Sequence, residues 1–281
     1  MVNTSALYRI STKKDNHHNY TNHKNHSSDN MYQDIIIEKN DAITTIILNR
    51  PASLNALTPN LVSELKSALQ SIAKDENCKV VILKGAGRAF CAGVDLKAMN
   101  ETLVDGQFTA NQIIIDGNDI AKIIRTMPQP AIAQVHGHCY TGATELMMFF
   151  DLIVVADDAK IGDTHAKWGI MPTWGMTQRL PRLVGSLKAK EMSFSCKPIT
   201  GKEAERIGLA NKSVPVDELN AAVVEMANDI LQNSAQTIAA LKHLYNEGMH
   251  TTLAEGLQIE TDFKTDITDR AEFLKGFEKN K

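Results

Sequence analysis

The sequence predicts a helix-rich α/β or α+β chain in which mixed sheets carry helices on their outer side. Three observations lead there. Runs of β-branched residues alternate with segments of helical periodicity, aromatic residues make up only 5% of the chain, and helix formers are plentiful. At 281 residues and 43% apolar, the chain has the length and content to bury one substantial core.

The elements follow in order. Residues 1–30 hold six Asn and four of the nine His, with few aliphatics. Such a stretch cannot bury enough apolar surface to offset its ordering entropy, so it reads as a disordered tail. His17, His18, His23 and His26 could bind a metal loosely, but a solvated tail accounts for them without one. No apolar run fits a signal peptide, while Arg9, Lys13 and Lys14 leave organelle import as a weaker alternative to the cytoplasm. From Met31 the text changes. Asp34–Glu38 and Ala42–Leu48 read as a hairpin turning at Lys39-Asn40-Asp41. Thr58-Pro59 supplies an N-cap and a first-turn proline, with Leu61, Leu65, Leu69 and Ile72 following at helical spacing.

Lys79–Lys84 reads as a buried strand, Gly85–Gly93 as a Gly-rich bend, and Ile113–Ile124 as a helix. Pro130–Val135 is a strand, Gly137–Tyr140 a turn, Thr141–Phe150 a helix and Leu152–Ala156 another strand. Beyond Pro215 only helical periodicity remains, over Asp217–Leu231, Ala235–Gly248 and Leu253–Phe273. A helical region following a completed core suggests an oligomer. The division is a tail at 1–30, a core at 31–215 and a helical oligomerisation region at 216–281.

Composition removes several function classes. A formal net charge of −3 gives no footprint for a nucleic-acid groove. The apolar runs Leu146–Phe150 and Leu152–Ala156, split by Asp151, are too short to span a bilayer. Cysteines at 78, 91, 139 and 196 lack zinc-type spacing, and a chain this long needs no disulfide framework. Reduced thiols in a cytosol-like compartment are the economical reading.

Two segments can carry chemistry. Gly85-Ala-Gly-Arg-Ala-Phe-Cys-Ala-Gly-Val-Asp-Leu-Lys97 follows a strand and fits neither a phosphate-binding loop nor a dinucleotide fingerprint. Free amides near Gly93-Val94 could face an anion. Gly137-His-Cys-Tyr-Thr-Gly-Ala-Thr-Glu145 again runs from a strand end into a helix, whose first amides near Gly142 lack intrahelical acceptors. Glu145 lies among apolar neighbours, where lost hydration would raise its pKa and suit proton transfer. The alternative is a capping-box glutamate answering Thr141. Two amides converging from separate strand ends would make an oxyanion hole for a thioester carbonyl acquiring enolate character.

These segments, with Asn49-Arg-Pro-Ala-Ser-Leu-Asn-Ala-Leu57, Asp151 and Thr177-Gln-Arg-Leu180, resemble the crotonase superfamily, the enoyl-CoA hydratase/isomerase family, over about residues 33–281. The resemblance implies a crotonase-like superhelix of ββα turns with a C-terminal helical trimerisation region, assembled as a homotrimer or hexamer. It implies an acyl-CoA thioester as substrate and no cofactor besides. Val94 and Gly142 would donate the oxyanion amides. Ser53, Leu54 and Ala56, with Ala92, Asp95 and Leu96, would line the CoA path. Arg88 and Lys97 stand where basic residues meet CoA phosphates, although solvated surface charge explains them equally. Phe277 and Lys279 would reach the CoA from the C-terminus.

Departures from the family pattern matter more. Glu145 matches the first catalytic glutamate, but the second position, within Ile161-Gly-Asp-Thr-His-Ala166, holds His165. Thr164 replaces a common proline, Thr173 a loop glycine, and Ala52 a frequent basic residue. His165 can donate, accept or orient water, with Asp163 fixing its tautomer if the loop folds back, or it can be a polar pocket wall. Trp168 and Trp174 read as shape, and Cys91 and Cys139 as small buried hydrophobes. His136 and His138 read as structural, with His138 an outside candidate for the pocket. The expected activity is syn hydration of a 2-enoyl-CoA. Isomerisation, decarboxylation and C–C hydrolysis share the enolate and remain open, as does an acyl-CoA- or RNA-binding role with little catalysis.

Overall fold

The computed structural model describes residues 31–97, 103–104, 107–108 and 112–278. The expected tail at 1–30, Lys279 and the side chain of Phe277 lie outside the described residues. The fold is that of the unit beginning at Tyr32.

Strands β1 (Ile35–Asn40) and β2 (Ile43–Leu48) form the expected hairpin. Asn40 pairs with Ile43, so the turn is Asp41-Ala42, one residue shorter than the polar run suggested. Asp41 takes a φ of 50°, which a short polar side chain tolerates. Helix α1 (Pro59–Ile72) starts where Thr58 accepts a hydrogen bond from the Leu61 N–H, and it buries Leu61, Leu65, Leu69 and Ile72 along one stripe. Then come β3 (Val80–Gly85), the short antiparallel pair β4 (Leu103–Val104) and β5 (Gln107–Phe108), and helix α2 (Gln112–Thr126).

The next stretch runs β6 (Ala131–Val135), β7 (His138–Tyr140), α3 (Gly142–Met147), β8 (Leu152–Ala156) and β9 (Lys160–Gly162). Helices α4 (His165–Trp168), α5 (Met176–Val184), α6 (Ser186–Ser195) and α7 (Gly201–Arg206) precede β10 (Lys212–Val214). Four helices complete the described residues: α8 (Leu219–Leu231), α9 (Ala235–Gly248), α10 (Leu253–Asp262) and α11 (Arg270–Glu278).

Six strands form one sheet in the order β1-β2-β3-β6-β8-β10, parallel except for β1 at its edge. Parallel neighbours need crossovers, and helices supply them, which is why β3 and β6 are apolar almost throughout. Between main-sheet strands the chain lays short segments into a second layer: Cys91 bridges Cys139, and β7 pairs with β9. A strand in each layer followed by a helix is the ββα repeat.

Three expectations are corrected. Gly137–Tyr140 is not a simple turn, because His138–Tyr140 finds a parallel partner in Lys160–Gly162, far along the chain. The helix expected over Thr141–Phe150 is only Gly142–Met147, since the chain must turn back into β8, where the Asp151 N–H meets the Ala131 carbonyl. The single helix expected over Leu253–Phe273 is two. Thr268 exchanges hydrogen bonds with the Gln236 amide and Asp269 accepts from Ser234, so α9 holds the intervening chain in a non-helical path. Buried Lys242 on α9 donates to Asp151 at 2.7 Å and to the Gln129 carbonyl at 2.8 Å, fixing these helices to the core. Among the described residues, no helix is long and apolar enough to cross a membrane.

Candidate active site

The two Gly-rich loops run side by side because glycine lets them. Gly137 has a φ of +58°, and a Cβ there would lie 2.0 Å from the Arg88 carbonyl oxygen. Gly93, at φ +99°, would put a Cβ 2.7 Å from the Tyr140 carbonyl oxygen. The N–H groups of Phe90 and Cys91 donate across to the carbonyls of His136 and His138, which zips the loops together.

That contact sets Val94 beside Gly142, where a Cβ on the glycine would sit 3.0 Å from Val94 Cγ2. Val94 bridges Leu57 through the Leu57 and Asp95 amides, so its own N–H faces the other side of the segment. Gly142 opens α3 and has no preceding turn to donate to. Among the described residues, no acceptor takes either N–H. The peptide leading into Gly142 is held by Thr141, a β-branched residue at φ 55° and ψ −115°. That backbone region costs roughly 1–3 kcal/mol for a non-glycine residue. The Thr141 hydroxyl shares a 2.8 Å hydrogen bond with the Thr164 hydroxyl, and the Thr141 N–H donates to the Gly162 carbonyl.

Val94 and Gly142 both border a cavity of about 700 Å³ whose walls are mainly apolar, including Ile113, Ile114, Ile170 and Trp174. Glu145 projects into it at 2% exposure. Its Oε1 accepts from the Trp174 N–H at 2.9 Å and the Met176 N–H at 3.0 Å. Thr141 caps nothing with its side chain, so the capping-box alternative for Glu145 falls. Burial pushes the Glu145 carboxyl above its ordinary range, against the pull of those N–H donors and of His165. His165 lies opposite, its Nε2 3.6 Å from Glu145 Oε2. The loop does fold back: Asp163 Oδ1 lies 2.6 Å from His165 Nδ1 and accepts the His165 backbone N–H at 3.1 Å. Burial favours a protonated Asp163, but hydrogen bonds from His165 and from Ser193 hold its carboxyl below the usual range.

Of the candidates named from sequence, Ala92, Val94, Leu96, Gly142, Glu145, His165 and Thr173 border this cavity. Ser53, Leu54, Ala56, Asp95, Arg88 and Lys97 do not. The loop bearing Ser53 backs the wall instead: the Ala92 N–H donates to the Leu54 carbonyl, and Arg50 lies 3.7 Å from Asp95. Arg88 and Lys97 are exposed. Cys91 and Cys139 are buried, and burial pushes the Cys91 thiol up to about 12 and the Cys139 thiol up likewise, leaving neither a ready nucleophile. His138 lies 3.2 Å from the Tyr140 hydroxyl.

Sequence reasoning missed three supports. The Trp174 and Met176 amides that seat Glu145 are main-chain groups with no sequence signature. Ser193 comes from a distant helix. Asn55 is a buried hub: its Oδ1 accepts from the Arg50 N–H, and its Nδ2 donates to the carbonyls of Ala86, Ala89 and Phe90. Its place inside the Asn49–Leu57 motif was the one available signal.

Fold and cavity together define an α/β ββα protein with two open main-chain donors beside a buried carboxyl–imidazole pair. The family model for enoyl-CoA hydratase/isomerase matches residues 38–281. A probable mitochondrial enoyl-CoA hydratase of Dictyostelium discoideum is 36% identical over 223 residues, covering 79% of each chain. A crotonyl-CoA hydratase of Syntrophomonas wolfei is 35% identical over 232 residues, 82% of this chain and 88% of that one. The crystal structure of an enoyl-CoA hydratase from Bacillus anthracis matches with a TM-score of 0.82 at 33% identity, covering 89% of this chain and 97% of the other. The chain belongs to the enoyl-CoA hydratase/isomerase family, and its fold is the crotonase fold.

Proposed function

We propose that this chain hydrates 2-enoyl-CoA thioesters. The thioester carbonyl oxygen rests between the N–H groups of Val94 and Gly142, which stabilise the enolate as negative charge moves onto it. Glu145 and His165 exchange protons with water, so that hydroxyl adds to the β-carbon and a proton to the α-carbon on one face. The observation that carries this reading is that Val94 and Gly142, whose N–H groups no described residue accepts, line the same cavity as a buried carboxyl and an imidazole 3.6 Å apart. The apolar remainder of the cavity suits an acyl chain. CoA lies along Ser53, Leu54 and Ala56 on the outer side of the wall and along Ala92, Asp95 and Leu96, with exposed Arg88 and Lys97 available to its phosphates. The reaction so written needs no cofactor beyond the CoA its substrate carries.

The test is crotonyl-CoA with product analysis. Loss of the conjugated ultraviolet band together with a gain of one water in mass is the expected result. An intact band and unchanged mass would overturn hydration. Double-bond isomerisation is the second reading, favoured by His165 standing where hydratases of the family carry a carboxylate. A β,γ-enoyl-CoA converted without mass change would establish it.

Self-association as a homotrimer, or a pair of trimers, belongs to the same proposal, with residues 216–281 as its helical region. Helix α10 buries no residue within the single chain, and Leu253 is 81% exposed. Light scattering on the purified protein reads the assembly directly, and a monomer would remove the proposal. The activity is placed in the cytoplasm, with an organelle matrix as the alternative compartment.

A further inference from the structure

We propose that Asp163 and Ser193 are positioning residues that make His165 the water-activating base, leaving Glu145 as the acid. This deepens the hydration reading and rests on it.

The argument starts at Asp163, which is 3% exposed. Its Oδ2 accepts from the Ser193 hydroxyl at 2.6 Å, and its Oδ1 faces both nitrogen donors of His165. An ionised carboxylate only accepts, so a neutral His165 keeps its ring proton on Nδ1. Nε2 then presents a lone pair towards Glu145. Glu145 Oε1 is taken by two backbone N–H groups, so Oε2 is the oxygen that carries a proton. A separation of 3.6 Å is too long for a direct hydrogen bond and too short for a water in line. A water bonded to both groups therefore sits to one side, in the cavity.

The step balances. A water O–H bond breaks, its proton going to His165 Nε2 and its oxygen to the β-carbon. The electron pair of the double bond takes the Glu145 Oε2 proton at the α-carbon. Return of the proton from Nε2 to Oε2 restores the pair. Asp163, ionised, and Glu145, holding its proton, are the carboxyl groups against His165. Other titratable groups on elements bordering the cavity, Tyr140, Lys167 and Cys196, make no hydrogen bond or ion pair with it among the described residues.

The experiment compares D163N in the native and H165E backgrounds of the full chain, with S193A alongside, by crotonyl-CoA hydration from pH 5.5 to 9.5. With His165 present, D163N permits the wrong tautomer. kcat then falls by roughly 10²–10⁴ while KM changes little, and the acid limb of the profile moves to lower pH. S193A leaves the Asp163 charge less shared, so its acid limb moves to higher pH. In the H165E background D163N raises kcat, because Asp163 and Glu at 165 would oppose each other's ionisation. Equal losses in both backgrounds, or an unmoved profile in D163N, overturn the proposal. Nitrogen-15 NMR of the His165 ring supplies a readout independent of turnover. An Nδ1–H tautomer that D163N abolishes is expected, and an Nε2–H tautomer in the native chain refutes the assignment. If hydration is absent while the Nδ1–H tautomer is present, the hydration reading fails and the Asp163–His165 arrangement stands.

Discussion

Replacing Glu145 in two ways separates its chemistry from its structural work. Glu145→Gln puts an amide oxygen where Oε1 now accepts from Trp174 and Met176, so both buried N–H groups keep their acceptor. Glu145→Ala orphans both. A buried donor left unpaired costs about 1–3 kcal/mol, so alanine should destabilise the fold by about 2–6 kcal/mol. For a domain of this size that is a fall of about 2–4 °C in Tm per kcal/mol. Gln should be neutral or stabilising, because it removes a carboxyl whose charged form burial disfavours. Both variants should lose about 10²–10⁴ in kcat, since neither side chain exchanges a proton. Glu145 also leaves a pH signature in stability. Its folded pKa is raised, so the folded state binds more protons than the unfolded state, and stability falls as pH rises from the ordinary carboxylate range through the folded value. Glu145→Gln should flatten that slope. Thermal melts between pH 4 and 8, with crotonyl-CoA turnover, read all of this. Full turnover in Glu145→Gln would refute the proton-transfer role, and equal melting of the two variants would refute the account of the two N–H groups.

Val94→Pro removes an N–H that no described residue accepts, so circular dichroism should be unchanged while kcat falls by roughly 10²–10³. Gly117→Ala would place a Cβ 2.0 Å from the Trp174 ring. It should destabilise by about 1–3 kcal/mol in urea titrations and shift tryptophan fluorescence as the indole is driven towards the cavity. Asn55→Ala strips the hub joining the Arg50–Ala56 and Gly85–Phe90 loops and leaves alanine at a φ of 56°, so a loss of about 2–4 kcal/mol is expected by the same titration.

What could be read from sequence was whatever depends on neighbours along the chain. Thr58-Pro59 announced α1, and the Leu61–Ile72 spacing named its buried stripe, because capping and periodicity are local. The Gly-rich segments were legible for the same reason. What escaped depends on partners far away. His138–Tyr140 is a strand only because Lys160–Gly162 lies beside it, and α10 and α11 are separate helices with Gln236 and Ser234 gripping Thr268 and Asp269 between them. The candidate site divides likewise. Glu145 was marked by its apolar neighbours, and Asp163 by its spacing from His165. The amides of Trp174 and Met176 and the hydroxyl of Ser193 reach the site by tertiary geometry, which no local pattern records.

The two open amides, the carboxyl and the imidazole come from three separate passes of the chain, between Val94 and His165, and the groups that seat them extend to Ser193. A polypeptide emerging from synthesis therefore has nothing to offer a thioester until most of its length is available. A chain cut short before Ser193 would lack the hydroxyl that donates to Asp163 Oδ2, and with it one of the supports of the imidazole.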